Sequence, residues 1–274
     1  MKALIDTDDD VGLNRGMTEG AIRAHREGIV TACSIVANGR AFDDAVQRLR
    51  EVPELETGVH LTLVEEQSLT GIALPGRYPE FFKAFMRGEI RIPQIEAELR
   101  AQVKKVADTG LRLTHLNGHQ HLHVMSGIFE IVLTLAEEYG IRYVRIVDDR
   151  DGKAPLARRF AITGLNFLGR RARTRAAYRV PDPVGELKPP PKYRTNDRTI
   201  GVLEAGHITD VGHLLDRVDG LTELVTHPGV NVDGYAHWKY EWDAETRALC
   251  APGLKEAIAA RGIALIAPSA VRAH

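Results

Sequence analysis

Lys2-Ala3-Leu4-Ile5-Asp6-Thr7-Asp8-Asp9-Asp10 opens the chain with a short apolar run, Lys2–Asp6, that fits a buried strand, and sets three adjacent carboxylates directly behind it. Reading outward, Arg15–Glu27 has the pattern of a helix stopped by Gly28, and Thr31–Ala37 is a β-branched, apolar second strand. Ala41–Glu51 repeats Phe42, Ala45, Val46 and Leu49 at helical spacing. Thr57–Val64 alternates as a strand, and Ile92–Thr109 carries Ile95, Leu99 and Val103 on one helical face. Leu113–Asn117 reads as a strand, Gly127–Tyr139 as a helix and Tyr143–Val147 as a strand. After a long break come Thr222–Thr226 (strand), Ala244–Arg261 (helix) and Ile263–Ala267 (strand). Alternation of this kind defines an α/β protein with a mostly parallel sheet, open or closed into a barrel.

Composition narrows the class of function. Lys plus Arg number 36 against 37 Asp plus Glu, a net charge of −1, and 44% of the 274 residues are apolar. That balance argues against disorder and against a nucleic-acid partner held by overall charge. Two cysteines, Cys33 and Cys250, exclude a disulfide framework and fit a reducing, cytoplasmic setting. The first ten residues turn acidic and do not read as a signal peptide, and no apolar run approaches the roughly 20 residues of a transmembrane helix.

Two stretches interrupt the alternation. Leu69–Pro79, with its Gly and Pro, reads as a loop. Lys153–Pro181 holds one Lys, seven Arg and no acidic residue, interleaved with Leu156, Phe160, Ile162, Leu165, Phe167 and Leu168. Pro181-Asp182-Pro183 and Pro189-Pro190-Pro191 then mark a stiff connection. The expectation is one catalytic domain over 1–274, with an insertion at about 153–191 on the sheet scaffold.

The residues with chemistry concentrate at the ends of strands. Three adjacent carboxylates at Asp8-Asp9-Asp10 repel one another and are tolerable in solvent or beside a cation. Four of the eleven histidines, His115, His119, His121 and His123, fall within nine residues after the fourth strand. Neutral imidazole is a common transition-metal ligand. Alternate residues of an extended loop point apart, so not all four can reach one ion, and His119 is the first candidate. His60 and Arg145 lie inside strands, and Asn38 and His227 follow them, the latter in Thr226-His227-Pro228-Gly229. In parallel sheets and barrels active sites form at the carboxyl ends of the strands. One Asp and two His around a cation leave positions open for water, which marks a catalytic metal site.

Several motifs resemble one family. Asp8-Asp9-Asp10-Val11-Gly12-Leu13, Ala24-His25-Arg26-Glu27-Gly28-Ile29-Val30-Thr31, Val36-Ala37-Asn38-Gly39, Gly58-Val59-His60-Leu61-Thr62-Leu63, Thr114–His123 and His227-Pro228-Gly229 occur in the order seen in the YdjC-like carbohydrate deacetylases. That family includes the chitooligosaccharide deacetylases and the HpnK-type deacetylases of hopanoid biosynthesis. The resemblance implies a distorted (β/α) barrel of mostly parallel strands, related to the polysaccharide deacetylases. It also implies metal-dependent hydrolysis of an N-acetyl group on an amino sugar. By motif position, Asp10, His60 and His119 would be the metal ligands, Asp9 the general base and His227 the general acid. Arg145 would orient the base or substrate, and Asn38, His121 and His123 remain candidates for substrate contact. The cofactor expected is one divalent ion; imidazole ligands favour zinc, with magnesium, manganese, cobalt and nickel compatible. Three departures from the family pattern stand out. Asp8 replaces a small residue, which should raise the pKa of Asp9 by repulsion; Val11 replaces Phe; and Asn117-Gly118 replaces Asp-Ser, which removes an acidic partner beside His119.

The basic, apolar stretch 153–181 suits an anionic membrane surface, and so the inner face of a membrane, or equally a helix packing one face on the barrel. The membrane reading favours an amino sugar attached to a lipid or other large aglycone over soluble chitooligosaccharide. The rivals are a different metal-dependent amidohydrolase or phosphoesterase on the same fold, and a carbohydrate-binding protein without catalysis. The sequence leaves the oligomeric state open, a homodimer included.

Overall fold

The computed structural model of the chain describes residues 2–152, 154–177 and 193–271. β1 (Lys2–Val11) is ten residues long and buried from Leu4 onward. The three acids therefore lie within the strand and not behind it. The reason is backbone pairing: Asp8 has ladder partners on both sides, Cys33 and Thr226. After β1 follow α1 (Arg15–Glu27), β2 (Ala32–Ile35), α2 (Phe42–Leu49), β3 (Glu56–Leu61), α3 (Tyr78–Met86), α4 (Ile92–Ala107), β4 (Leu113–Gly118), α5 (Ile128–Glu138) and β5 (Tyr143–Val144). Then come α6 (Leu156–Ala177), β6 (Arg198–Ile200), α7 (Gly212–Leu215), β7 (Leu221–Thr226), α8 (Trp242–Leu249), α9 (Leu254–Ala260) and β8 (Ile263–Leu265).

The sheet is parallel throughout, in the order β5-β4-β3-β2-β1-β7-β6, with β8 also paired to β1. β2 and β8 divide one edge of β1: β8 takes Lys2–Leu4 and β2 takes Thr7–Val11. The outer strands are drawn together by the chain before β6. Asn196 accepts from the Ile146 amide and donates to the Ile146 carbonyl, both at 2.9 Å, and Val144 N donates to Arg194 O at 2.8 Å. A sheet tied at both edges curls, with helices outside and strand side chains inside. β5, expected to reach Val147, is shorter because the Asn196 side chain and not a ladder satisfies the Ile146 amide; beyond Val147, Thr199 Oγ1 takes that of Asp148.

Local sequence sets most boundaries. Asn14 Oδ1 caps α1 by accepting from Gly16 N at 2.6 Å. The segment 244–261, expected as one helix, is two: Ala251-Pro252-Gly253 breaks it, since Pro252 has no N–H to donate and Gly253 sits at φ 79°. Helix α3 was hidden by its own start. Tyr78-Pro79 closes the stretch read as a loop, yet Pro79 opens the helix, where a missing N–H costs nothing.

Helix α6 docks by polar contacts as much as by apolar ones. Asn166 Oδ1 accepts from Asp149 N at 2.9 Å, and Arg173 Nη1 reaches Asp148 Oδ2 at 3.2 Å while Nη2 donates to Asp197 O at 2.5 Å. The helix's own Ile162 and Ala172 are buried. Part of the basic character of this stretch thus serves to fasten the helix. The proline-rich connection at 181–191 lies outside the described residues. Among the described residues no helix is long and apolar enough to cross a membrane.

Candidate active site

The barrel interior is polar at one level. Arg145, just past β5, is fully buried and forked onto Asp9 of β1, with Nη1 2.5 Å from Oδ2 and Nη2 2.9 Å from Oδ1. Its Nε donates to Glu223 Oε1 of β7 at 2.8 Å, and Thr7 Oγ1 and Tyr143 Oη donate to the same carboxylate. Ser34 of β2 and Asn117 of β4 each donate to Asp9 Oδ1, at 3.0 and 2.9 Å. Side chains from five strands or their ends meet only across the interior, so this network also fixes the strands around it. Burial by itself would raise the Asp9 carboxyl; Arg145 above all, with His60, holds it well below the usual carboxylate range. The expectation that Asp8 would raise it is overturned.

Asp8 explains why. A strand alternates its side chains, so Asp8 faces away from Asp9, into the layer between sheet and helices. There its two carboxyl oxygens are buried without hydrogen bonds, and burial followed by neighbouring carboxylates pushes its pKa far up. Asp6 shares that face, accepts from Thr226 Oγ1 at 2.9 Å and is raised to about 8, again chiefly by burial. Burial thus disfavours charge on both. The predicted cluster of three acids is therefore split, with Asp8 on one face of the sheet and Asp9 and Asp10 on the other.

Asp10 is turned into the site by a break in register after Asp8 and by its own left-handed backbone, φ 69°. It meets His60 of β3 and His119, which follows β4: their ligand atoms lie within 4.8 Å of one another and all three residues are buried. His60 Nε2 is 3.3 Å and His119 Nδ1 3.0 Å from Asp10 Oδ1. The other ring nitrogens are taken. His60 Nδ1 is 2.8 Å from Asn117 Oδ1, and His119 Nε2 is 3.4 Å from Glu65 Oε2. Acceptors at those positions orient both rings and leave the inner nitrogens to serve as ligands when a cation takes the place of a proton shared with Asp10. Electrostatics agree. Against the cost of burial, Asp10 is held well below its ordinary value by His119 and His60, while Asp10 and Glu65 push His119 up to about 10. The three groups demand a positive charge, and in its absence a proton on His119 supplies it. The donor set fits a divalent cation. Asn117 also answers the loss of an acid at its position, for its oxygen serves His60, and Glu65 is the acid beside His119.

His227 stands at the mouth, 9% exposed, with Nε2 4.0 Å from Asp10 Oδ2 and Nδ1 3.9 Å from Glu245 Oε1. Its backbone amide donates to that same Glu245 oxygen at 2.6 Å. Burial outweighs Asp10 and Asp9 and lowers its pKa, so its imidazole is neutral at rest. Tyr240 packs edge-on against it, ring centres 5.2 Å apart.

The remaining candidates sit elsewhere. His115 is an interior packing residue: a Cβ on Gly58 would lie 2.4 Å from its ring, and burial lowers its pKa to about 3. His123 contacts Arg145 O through Nε2 at 2.9 Å. Asn38 accepts from Thr62 Oγ1 at 2.6 Å and donates to Gln67 O at 2.9 Å, so it pins the loop after β3. His121 lines a neighbouring apolar cavity. A larger cavity of about 800 Å3 around Asn14, Arg40 and Asp233 is lined by none of Asp10, His60 or His119, and donor geometry, not size, locates the site.

Sequence reading missed Ser34, Glu65, Glu223, Glu245 and the aromatic loop Tyr235–Trp242. Trp238 stacks on His119 at 5.3 Å and donates from Nε1 to Glu65 at 3.0 Å. Backbone strain marks some of these segments and not Ser34, Glu223 or Glu245: the described non-glycine residues at positive φ are Asp10, Glu65, Gln120, His121, Asn231, Tyr235 and Lys239. Such residues cost of order 1–3 kcal/mol each and gather where function needs a fixed geometry.

Comparison with known proteins assigns the class. The profile of the YdjC-like proteins matches residues 3–260, and the chain belongs to that family. A carbohydrate deacetylase of Brevibacillus brevis is 36% identical over 149 residues, 52% of this chain and 58% of its own length. A chitooligosaccharide deacetylase of Klebsiella pneumoniae is 37% identical over 145 residues, 51% of this chain and 58% of its own. The chain thus spans little more than half the length of these two relatives. A solved structure from Enterococcus faecalis V583, described as a candidate cellobiose-phosphate cleavage protein, shares the fold with a TM-score of 0.69 at 21% identity, over 97% of each chain.

Proposed function

We propose that the chain is a metal-dependent hydrolase that removes the N-acetyl group from an amino sugar, giving acetate and a free amine. The observation that carries this reading is the convergence of Asp10, His60 and His119 beside the Arg145–Asp9 fork and His227. The names of the two relatives support the substrate class. A divalent cation on the three ligands, zinc by its preference for imidazole, would lower the pKa of water and polarise the acetamide oxygen.

The chain's own residues do the rest. Asp9 is ionised at every working pH, and it takes the proton of the water whose oxygen adds to the carbonyl carbon. Arg145, Ser34 and Asn117 aim that carboxylate and keep it a strong acid once protonated, so it gives the proton up. The proton that Asp9 gives up passes to His227, neutral at rest, which delivers it to the nitrogen as the C–N bond breaks, leaving acetic acid and the free amine. Glu245, holding the His227 amide, sets the height of that imidazole at the mouth.

The substrate we favour carries the sugar on a lipid or other large aglycone, because large apolar side chains stand exposed on α3 and α6. Soluble chitooligosaccharide is the second reading, favoured by the relative from Klebsiella. The test is acetate release from N-acetylglucosamine compounds, free, oligomeric and alkyl-linked, with chelated and metal-reloaded protein. Release that returns only with metal is the expected result. Release of phosphate from phosphate esters, with none of acetate, would move the site to another hydrolase chemistry.

A further inference from the structure

Helix α6 carries much of its polar bonding on the inside and much of its apolar surface on the outside. A helix on a barrel ordinarily does the reverse, packing an apolar stripe inward and showing charge to water. Here Asn166 is bonded to the backbone of Asp149, Arg158 to the carbonyls of Leu203 and Ala205, and Arg173 to Asp148 and the carbonyls of Asn196 and Asp197. Leu156, Phe160 and Phe167 point away from the barrel and are 74, 75 and 53% exposed. Spacings of four and seven residues put them in one stripe. Arg159, Arg170 and Arg171 stand exposed along it, the last with its guanidinium 5.6 Å from the Phe167 ring centre.

Helix α3 repeats the arrangement. Phe81 holds it to the core, while Tyr78, Phe82 and Met86, four residues apart, are exposed. Arg77, Lys83 and Arg87 are exposed beside them. The two helices are neighbours, since residues of both line one cavity. Of the eight large apolar side chains exposed among the described residues, six lie on these two helices, and an apolar surface so concentrated marks an interaction site.

Charge decides what covers it. The chain as a whole is nearly neutral, at −1. Along α3 with its flanks and α6, six exposed cations stand against two exposed acids, Glu80 and Glu89, and α6 has no acid at all. A symmetric dimer through this face would set the same cations against each other. A bilayer with anionic headgroups answers both features: apolar side chains enter the acyl boundary, and arginines extend to the phosphates.

We infer that the outward faces of α3 and α6 form a docking surface for an anionic phospholipid bilayer, with Phe82, Met86, Leu156 and Phe160 entering it. The inference is independent of what the candidate active site hydrolyses.

The test uses the full chain and sedimentation with phosphatidylcholine vesicles made with and without phosphatidylglycerol. The wild type should pellet with the anionic vesicles and not with the neutral ones, and binding should weaken as salt rises. Phe82→Ser and Phe160→Ser remove exposed rings, so both should melt with the wild type and lose vesicle binding. Arg159→Gln and Arg171→Gln should each weaken binding about fivefold. Phe160→Trp reads depth: its added emission should shift to the blue on binding and be quenched by lipids brominated in the acyl chain, against the wild-type background of Trp238 and Trp242. No pelleting with anionic vesicles at low salt overturns the inference. So does pelleting that all four of the Ser and Gln variants leave unchanged. Binding lost in the Gln variants alone, with no quenching in Phe160→Trp, would mean adsorption by charge without insertion and also overturns it. A dimer in sedimentation velocity that dissociates in Phe160→Ser would give the face to a second copy, with the same consequence. Vesicle binding and acetate release are measured apart, so the failure of either leaves the other standing.

Discussion

Arg145 holds Asp9 by both arms of its guanidinium, at 2.5 and 2.9 Å, and lies with it wholly inside the barrel. The third nitrogen reaches Glu223, so one cation serves two buried carboxylates. Removing it strands both charges. Arg145→Met should cost about 3–5 kcal/mol of stability, read by denaturant unfolding. Arg145→Lys keeps the charge and loses the fork. It should fold, yet turn over about 100-fold more slowly because Asp9 is no longer aimed. Unchanged kcat in Arg145→Lys would reduce the fork to a structural ion pair.

Asp9 and Asp10 are neighbours with separate duties, and the structure separates them by partner: Arg145 for one, two imidazoles for the other. Asp9→Asn should therefore lower kcat by about 100-fold or more while metal content stays at the wild-type level. Asp10→Asn should lose metal and activity together. Metal analysis on the purified variants distinguishes the cases; full turnover in Asp9→Asn would remove it from the role of base.

These contrasts mark what a sequence makes legible. The alternation of strands and helices was readable because each apolar run is local, and His60, His119 and Asp10 were readable because their motifs are short. Glu223 and Ser34 carry no such signal. They are ordinary residues of β7 and β2 that matter only because the curl of the sheet turns them toward Asp9. The opposite fates of Asp8 and Asp9 depend on strand alternation continuing through an acidic run, which the sequence suggested had ended. Helix α3 and the break at Pro252-Gly253 turn on where a proline falls relative to a helix start, a matter of one or two positions.

Asn117 joins the two halves of the site. Its oxygen faces His60 Nδ1 at 2.8 Å and its amide donates to Asp9 and to Ser34. Asn117→Leu removes the partner that orients a metal ligand, and metal affinity should fall about 10–100-fold, measured by competition with a chromogenic chelator. Asn117→Asp retains an acceptor for His60 but sets a second carboxylate against Asp9, so it should hold metal better than Asn117→Leu. Equal affinities in the two variants would show that the bond to His60 does not orient it.

Glu245 offers a prediction on pH. Burial, with Asp6 adding to it against three backbone hydrogen bonds, pushes its pKa from the ordinary 4.5 up to about 8. Between those values the folded chain keeps a proton that the unfolded chain has lost. Stability then falls as pH rises, and the contribution present below about pH 4.5 is gone above about pH 8. Glu245→Gln mimics the neutral acid and can still accept from the His227 amide. Melting temperatures of the two proteins should be close at pH 5 and diverge as pH rises, with the variant the more stable at pH 8.5. His119, raised to about 10, adds its own loss over the alkaline range, but it is common to both proteins and cancels in the comparison. A variant that melts below the wild type by the same margin at every pH would mean that Glu245 is already ionised in the folded protein.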